Sequence, residues 1–184
     1  MTVRLQSISR ADLLVLANSG LPDGIAARTA DGALPPAFVA QRSLTQLQEG
    51  KGEYWCSTFY IVRDADNLVV GGCGFKAVPM GGRVEIGYGV SPACRNQGIA
   101  TLAVRELLQL AFAIEAVREV LAQVSPANAA STRVVQKLSF VKGEAAADES
   151  GELVVRWVLR KPPDALYGLP ATKEGIDRYF WQEG

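Results

Sequence analysis

Hydrophobic and polar residues alternate most regularly in the middle of the chain, between Arg83 and Val90. Successive side chains of a β-strand point to opposite faces of a sheet, so this alternation predicts a strand with one buried face. The apolar face should point into the core, while the other face carries a glutamate and two glycines. The two sets are Val84, Ile86, Tyr88 and Val90 on the first face, and Glu85, Gly87 and Gly89 on the second.

A helical pattern follows this strand after a short polar loop. Apolar residues recur at spacings of three and four from Ile99 to Ile114, which predicts an amphipathic helix over residues 101–115. The helix should begin directly after the loop that contains Gly98.

The rest of the pattern predicts a mixed fold. β-rich runs bounded by turn residues predict strands, and periodic runs after a capping residue such as Ser9 or Asn128 predict helices. Residues 21–36 are rich in Gly, Pro, Ala and Asp and should form a long loop. The other predicted strands cover residues 3–8, 54–62, 68–78 and 120–124 and a final hairpin over 140–159. The other predicted helices cover residues 10–18, 36–48 and 128–138, and the second of these has Phe38, Val39, Leu44 and Leu47 as its apolar side.

Length and composition fit one compact domain. The chain has 184 residues, 48% of them hydrophobic, and a domain of this size buries most of the surface that its unfolded chain exposes. Pro162 and Pro163 should end it, which divides the chain into a domain of residues 1–161 and a tail of residues 162–184. The tail carries an aromatic cluster at residues 179–181, and we expect it to pack on the domain, in a monomer, or at a homodimer interface. Docking of the tail to a different subunit is the alternative.

Charge and composition exclude several classes of function. Nineteen basic residues balance nineteen acidic ones, so no net field favours nucleic acid or an anionic membrane. The chain has no histidine, which removes imidazole bases, Ser-His and Cys-His nucleophile pairs and His-ligated zinc. Cys56, Cys73 and Cys94 form no C-x-x-C pair and no secretory leader precedes them. We therefore expect reduced thiols, no metal site and a cytoplasmic protein.

The loop before the predicted helix is the strongest candidate for a binding site. A helix N-terminus offers unpaired backbone N–H groups and the positive end of the helix dipole, so a diphosphate can bind there. A rival dinucleotide-type glycine pattern at residues 72–77 is followed by Val78 and Pro79 rather than by a helix, which favours a bend or bulge in a strand. The candidate loop reads Arg95-Asn96-Gln97-Gly98-Ile99-Ala100.

This loop closely resembles the Arg/Gln-x-x-Gly-x-Gly/Ala loop of the GNAT superfamily of N-acetyltransferases. Residues 84–90 and 128–140 extend the resemblance, which spans residues 54–161 and is closest to the ribosomal-protein N-acetyltransferase branch typified by RimJ and RimL. It implies an α/β fold of the α+β type, with a mixed, mostly antiparallel central sheet of about seven strands flanked by about four helices. It also implies acetyl-CoA as the co-substrate, held by Val90, Arg95, Asn96, Gln97, Gly98, Ile99, Ala100, Thr101 and Asn128.

Two residues are candidates for the chemistry. The resemblance implies that Glu85 takes a proton from the attacking amine, directly or through water; a solvated strand glutamate paired with an arginine is the alternative. Family members commonly carry a tyrosine that protonates the leaving thiolate, but Val135 stands at that position. Either Ser131 supplies a hydrogen bond or the thiolate leaves unprotonated. Asn128 has an alternative role too, as an ordinary helix N-cap.

We therefore predict an acetyl-CoA-dependent N-acetyltransferase that acts on a primary amine by direct attack in a ternary complex. The amine is either a protein N-terminus or a small molecule. Its groove should be built by residues 21–36, the second helix and the last hairpin. A non-catalytic acyl-CoA-binding or sensing module of the same fold is the alternative, because the usual tyrosine is missing.

Overall fold

One seven-stranded sheet organises the computed structural model, which describes residues 1–162. The predicted tail therefore lies outside the described residues, apart from Pro162. The strands are β1 Val3–Ser7, β2 Thr58–Arg63, β3 Leu68–Phe75, β4 Arg83–Val90, β5 Glu119–Val124, β6 Val141–Ala147 and β7 Leu153–Arg160. Their order is β1-β2-β3-β4-β5-β7-β6, and every neighbouring pair is antiparallel except β4 and β5, which are parallel.

Helices cover both faces of the sheet. Within residues 1–162 they are α1 Arg10–Ala17, α2 Asp23–Ala26, α3 Ala37–Gln48, α4 Glu53–Cys56, α5 Ile99–Ala113 and α6 Ala129–Lys137. The predicted fold class is confirmed, since the sheet is mixed and mostly antiparallel. Four longer helices were expected, and α2 and α4 add single turns of four residues each. In this part of the chain every helix is too short or too polar to span a bilayer.

The sheet separates two hydrophobic clusters. Phe59 and Ile61 of β2 belong to the larger cluster, against α5 and α6, whereas Tyr60 and Val62 belong to the smaller one, against α1 and α3. This division follows from the alternation of side chains along a strand. The predicted core face of β4 is confirmed by the burial of its first half, with Val84 at 1% and Ile86 at 2% exposure.

The helix ends agree with the sequence. Ser9 Oγ accepts the Asp12 N–H at 3.1 Å at the start of α1, and Asn128 Oδ1 accepts the Ser131 N–H at 3.0 Å at the start of α6. Ser139 takes a left-handed φ of 63° after α6, a conformation that costs a serine on the order of 1 kcal/mol. The helix therefore ends where a glycine would end it.

Two predicted boundaries are wrong. Residues 54–56 form α4 and not the start of a strand, because Tyr54 packs beneath α5: its ring stacks on Phe75 at 6.0 Å and its hydroxyl donates to the Leu110 carbonyl at 2.6 Å. Aromatic residues fit helices as well as strands when they have such partners. Strand β3 ends at Phe75 and does not reach Val78.

The predicted apolar side of α3 is buried only in part. Leu44 is buried and Val39 and Leu47 are half-buried, but Phe38 is 63% exposed. The buried positions of the helix are Ala40, Ser43, Leu44 and Gln46. Two of these are polar and have partners in or next to the sheet: Ser43 Oγ lies 3.0 Å from Thr58 Oγ1, and Gln46 Nε2 donates to the carbonyl of Lys76, just after β3, at 2.7 Å. Burying a polar side chain costs little free energy when the side chain has a hydrogen-bond partner. The buried side of the helix could therefore not be assigned from the apolar residues alone.

Candidate functional site

Strands β4 and β5 are paired at one end only. Their pairing runs from Arg83 and Glu119 to Ile86 and Ala122, whereas β4 stays paired with β3 as far as Val90. Within the described part of the chain, residues 87–90 therefore have one edge without a neighbouring strand. The two parallel strands open into a cleft there.

Backbone groups of β4 point into this opening. The Lys76 N–H donates to the Glu85 carbonyl and the Ser91 N–H donates to the Val70 carbonyl, each at 2.8 Å, so the odd-numbered residues of β4 bond to β3. The N–H and C=O groups of the even-numbered residues point the other way. At Tyr88 and Val90 that direction is the opening, where a ligand can pair with the strand.

The N-terminus of α5 also faces the cleft. The first hydrogen bond of the helix runs from the Leu102 N–H to the Gly98 carbonyl at 3.1 Å, so the N–H groups of residues 99–101 have no partner within the helix. Gly98 is the N-cap, has a φ of 77° and offers no side chain to these groups. A Cβ added to Gly98 would meet nothing within 4 Å, which leaves the main chain open to a close ligand.

The cleft has a volume of about 640 Å³ and its charged lining residues are all basic in the part of the chain that the structure describes. Arg95, Arg133 and Lys137 line it, and among residues 1–162 no Asp or Glu does. In a chain with equal numbers of acids and bases, this arrangement concentrates positive charge at one place. It suits a ligand with several phosphate groups.

The structure brings most of the predicted site residues together. Gln97 and Glu85 are the exceptions: Gln97 Oε1 accepts a hydrogen bond from Arg63 Nη1 at 3.4 Å. Ile99 contributes only its backbone, because its side chain lies in the core with 1% exposure. The predicted residues that line the cleft are Val90, Arg95, Asn96, Gly98, Ile99, Ala100, Thr101, Asn128 and Ser131.

Glu85 lies on the opposite face of β4. Its Oε1 is 2.5 Å from Lys76 Nζ, and Gln123 Nε2 donates to both of its oxygens at 3.0 Å. From the sequence, the alternative role of Glu85 is an ion pair with an arginine. The structure has an ion pair at this position, but its partner is Lys76. A Cβ on Gly87 would lie 3.6 Å from Lys76 Cε, whereas one on Gly89 would meet nothing. The strip beside Glu85 is therefore partly covered by Lys76 and open at Gly89.

Three segments surround this strip, and they are the ones proposed from the sequence for the acceptor groove. Pro35, in the loop after α2, packs over Gly72, the partner of Gly89 in β3. Arg42 of α3 is half-buried; desolvation lowers the pKa of its guanidinium, and the carboxylates of Glu85 and of Glu149, in the β6–β7 turn, oppose that shift. Both α3 and the last hairpin therefore approach Glu85.

Sequence reasoning missed three residues of the cleft whose side chains carry an N–H or O–H group. Arg133 and Lys137 line it from α6, and their spacing of four on a predicted helix could have placed them on one face. Tyr88 was predicted only as a core residue. Its hydroxyl donates to the Ser131 carbonyl at 3.3 Å, and burial raises its pKa. Val135, the position of the family tyrosine, is fully buried.

Comparison with known proteins shows the family of this chain. Residues 15–141 match the family described as Acetyltransferase (GNAT) domain. The chain belongs to this family of acetyltransferases.

One relative and two solved structures illustrate the likeness. The uncharacterized N-acetyltransferase p20 of Bacillus licheniformis is 35% identical over 83 residues, which are 45% of this chain and 46% of that protein, so the match spans about half the length of the relative. The ribosomal-protein-S5-alanine acetyltransferase of Vibrio fischeri superposes with a TM-score of 0.63 at 19% identity, covering 88% of this chain and 97% of that one. The aminoglycoside acetyltransferase AAC(6')-Ib, in complex with coenzyme A, gives a TM-score of 0.62 at 18% identity, with 87% and 95% covered. At these identities the two structures show the fold.

Proposed function

We propose that this protein is an acetyl-CoA-dependent N-acetyltransferase that transfers the acetyl group to a primary amine by direct attack in a ternary complex. One observation carries the proposal: the free edge of β4 and the uncapped N-terminus of α5 line a cleft to which residues 1–162 contribute three cationic side chains and no carboxylate. An extended, polyanionic acyl donor fits such a cleft.

The residues of the cleft fit acetyl-CoA from one end to the other. The N–H groups of residues 99–101 would hold the diphosphate, with Arg95 and the cations of α6 adding charge-assisted contacts. The amides of the pantetheine arm would pair with the edge of β4 at Val90. When bound there, acetyl-CoA supplies an acetyl group activated as a thioester.

The protein's own groups would then act on three atoms. The Val90 N–H donates a hydrogen bond to the thioester oxygen, which stabilises the negative charge that develops on it. The Ser131 hydroxyl donates one to the leaving sulfur. Glu85 takes a proton from the amine, directly or through water. Among the described residues its Oε2 has only Gln123 as a hydrogen-bond partner, which leaves a lone pair for this purpose.

The acceptor would occupy the strip at Gly89, between the loop after α2, α3 and the β6–β7 turn. Two neighbours with this fold are named for very different acceptors, an alanine of a ribosomal protein and an aminoglycoside. Both a protein N-terminus and a small amine are therefore acceptor classes to test.

Incubation of the protein with acetyl-CoA and a panel of amines tests the proposal. The panel includes peptides with Ala or Ser N-termini, free amino acids, polyamines and aminoglycosides; released CoA thiol and acetylated product are measured together. We expect release that depends on an acceptor. Tight acetyl-CoA binding without release for any amine would favour the non-catalytic module, and absence of binding would contradict both functions.

A further inference from the structure

A second hydroxyl lies in the cleft beside Ser131. Tyr88 precedes Val90 by two residues on the free edge of β4, lines the cleft and donates its hydrogen bond to the Ser131 carbonyl. Strand β4 and the first turn of α6 therefore meet at this phenol. It lies toward the end of the cleft where β4 and β5 converge at Ile86 and Ala122, away from the cationic loop at the start of α5.

Acetyl transfer from a thioester requires a proton at this end. As the C–N bond forms and the C–S bond breaks, the amine loses a proton and the sulfur leaves as a thiolate. An alkyl thiol has a pKa of about 8.5, so at neutral pH the thiolate takes up a proton. A serine hydroxyl can donate a hydrogen bond to it but does not titrate in this range, whereas a phenol has a pKa of about 10, close to that of a thiol.

We propose that Tyr88 delivers this proton: its hydroxyl protonates the leaving sulfur, and the phenolate regains a proton from water. The proton that the amine gives up balances the one that the sulfur gains. The proposal rests on the proposed function. Ser131 then has two roles: its carbonyl orients the phenol in the free protein, and its hydroxyl donates a hydrogen bond to the sulfur.

The other charged or titratable groups of the cleft are less well suited. Cys94 and Arg95 lie just before the start of α5, at the diphosphate end. Arg133 carries a guanidinium, a group suited to binding anions such as phosphate. Lys137 is six residues after Ser131, about 9 Å further along the axis of α6. Val135 has its side chain in the core, so α6 itself offers no phenol to the cleft.

The surroundings of Tyr88 keep it in the donor form. Burial raises its pKa, so the phenol is protonated throughout the neutral range. The same desolvation would raise the pKa of a thiol placed beside it. The same desolvation therefore acts in the same direction on the pKa of the Tyr88 phenol, the proton donor, and on that of the thiol, the acceptor.

A titration of bound CoA tests this without an amine acceptor. CoA labelled with ¹³C at the carbon next to sulfur reports the protonation of its thiol by NMR in wild type, Tyr88→Phe and Tyr54→Phe. Tyr54 is the matched control, because its hydroxyl also donates to a helix carbonyl and it is not among the residues of the cleft. We expect the thiol of bound CoA to titrate about one pH unit higher in Tyr88→Phe, where the thiolate loses a hydrogen-bond donor, and unchanged in Tyr54→Phe.

The outcomes separate the two proposals. Binding of CoA with the same thiol titration in wild type and Tyr88→Phe overturns the assignment of Tyr88 and leaves the proposed function intact. Failure of the wild type to bind CoA overturns both.

Kinetics with the acceptor then test proton transfer itself. Tyr88→Phe should lower kcat about 10²-fold with little change in the KM for acetyl-CoA. 3,5-Difluorotyrosine at position 88, which keeps the shape and acidifies the phenol, should keep activity and move the alkaline limb of kcat to lower pH. The assignment of Tyr88 would be wrong, and Ser131 would be the donor, if the alkaline limb of kcat did not move. The same would follow if kcat fell strongly in Ser131→Ala but not in Tyr88→Phe.

Discussion

Glu85 and Tyr88 leave β4 on opposite faces of the sheet, three residues apart. Glu85 meets Lys76 and Gln123 on one face, and Tyr88 meets the first turn of α6 on the other. Only Gly87 and Ile86 separate them along the strand, and the opening between β4 and β5 begins there. A single strand thus places a carboxylate and a phenol on the two sides of the proposed reaction.

Glu85→Gln keeps the shape of the side chain and removes the proposed base. We expect kcat to fall about 10²-fold at neutral pH, while the affinity for acetyl-CoA is unchanged because Glu85 does not line the donor cleft. Rate against pH and calorimetric binding of acetyl-CoA measure the two effects. Glu115→Gln, at an exposed position, is the control, and a wild-type rate and pH profile in Glu85→Gln would exclude Glu85 as the base.

Gly98→Ala should weaken acetyl-CoA binding beyond its effect on stability. Gly98 and Gly50 have similar φ values, 77° and 73°, and a Cβ meets nothing within 4 Å at either one. Each alanine should therefore lower the free energy of unfolding by about 1 kcal/mol, because it must adopt a left-handed conformation. Only the alanine at position 98 places a methyl group where a ligand would approach the backbone of α5. Chemical unfolding and calorimetry compare the two variants. Equal affinities for acetyl-CoA would show that Gly98 has no part in the cleft.

Gly89→Ala should weaken binding of the amine acceptor with little effect on the stability of the fold. A Cβ on Gly89 meets no atom, so the strand accepts it with little change in stability, but the methyl group projects into the proposed acceptor strip and should raise the KM for the amine. Gly71 is the contrasting position in β3, because a Cβ added there would overlap the Gly89 carbonyl oxygen. Gly71→Ala should cost about 3 kcal/mol or more of stability. An unaltered amine KM in Gly89→Ala would place the acceptor elsewhere.

The double substitution Arg133→Gln and Lys137→Gln should weaken acetyl-CoA binding and flatten its dependence on salt. These two cations line the cleft from α6, and attraction between them and phosphate groups is screened by ions. Binding is measured from low to high ionic strength, with Arg105→Gln, an exposed arginine on α5 outside the cleft, as the control. A salt dependence like that of the wild type would mean that the phosphates lie elsewhere.

The stability of the fold should decline in alkali, in part through Tyr60. Burial, together with the Asp12 carboxylate beside it, raises the pKa of this phenol above its ordinary value of 10.0. Because the folded pKa is the higher one, the stabilisation is complete below pH 10 and is lost as pH rises toward the folded pKa, by about 1.4 kcal/mol per pH unit. Urea unfolding followed by circular dichroism on either side of pH 10 measures this loss. Tyr60→Phe should have a shallower slope above pH 10, and an equal slope would show that the phenol titrates normally.

The sequence was most informative where structure and chemistry are local. The alternation in β4, the helical spacing in α5 and the loop between them are contiguous, so each could be read without knowing the rest of the fold. The buried side of α3 depends instead on Thr58 in β2 and on Lys76 just after β3, which lie elsewhere in the chain. Nothing in the periodicity of α3 itself reveals that Ser43 and Gln46 have partners there.

The same distinction applies to the site. The loop residues and Asn128 could be assigned from their motifs, and the structure brings all of them except Gln97 to one cleft. Tyr88 could be assigned to the correct face of β4, but not to the cleft, because the opening depends on where the pairing of β4 with β5 stops. That register is set by the start of β5, about thirty residues further on.

The opening between β4 and β5 has a consequence for how the acceptor of such a protein can change in evolution. In the proposed complex the donor side depends largely on main-chain N–H groups, at Val90 and in the first turn of α5, which persist through most side-chain replacements. The acceptor side depends on side chains, such as Arg42, Lys76 and Glu149, carried by segments outside the donor cleft. Substitutions on that side can exchange one amine for another while the donor half stays intact, so a change of acceptor requires no new fold and no new cofactor.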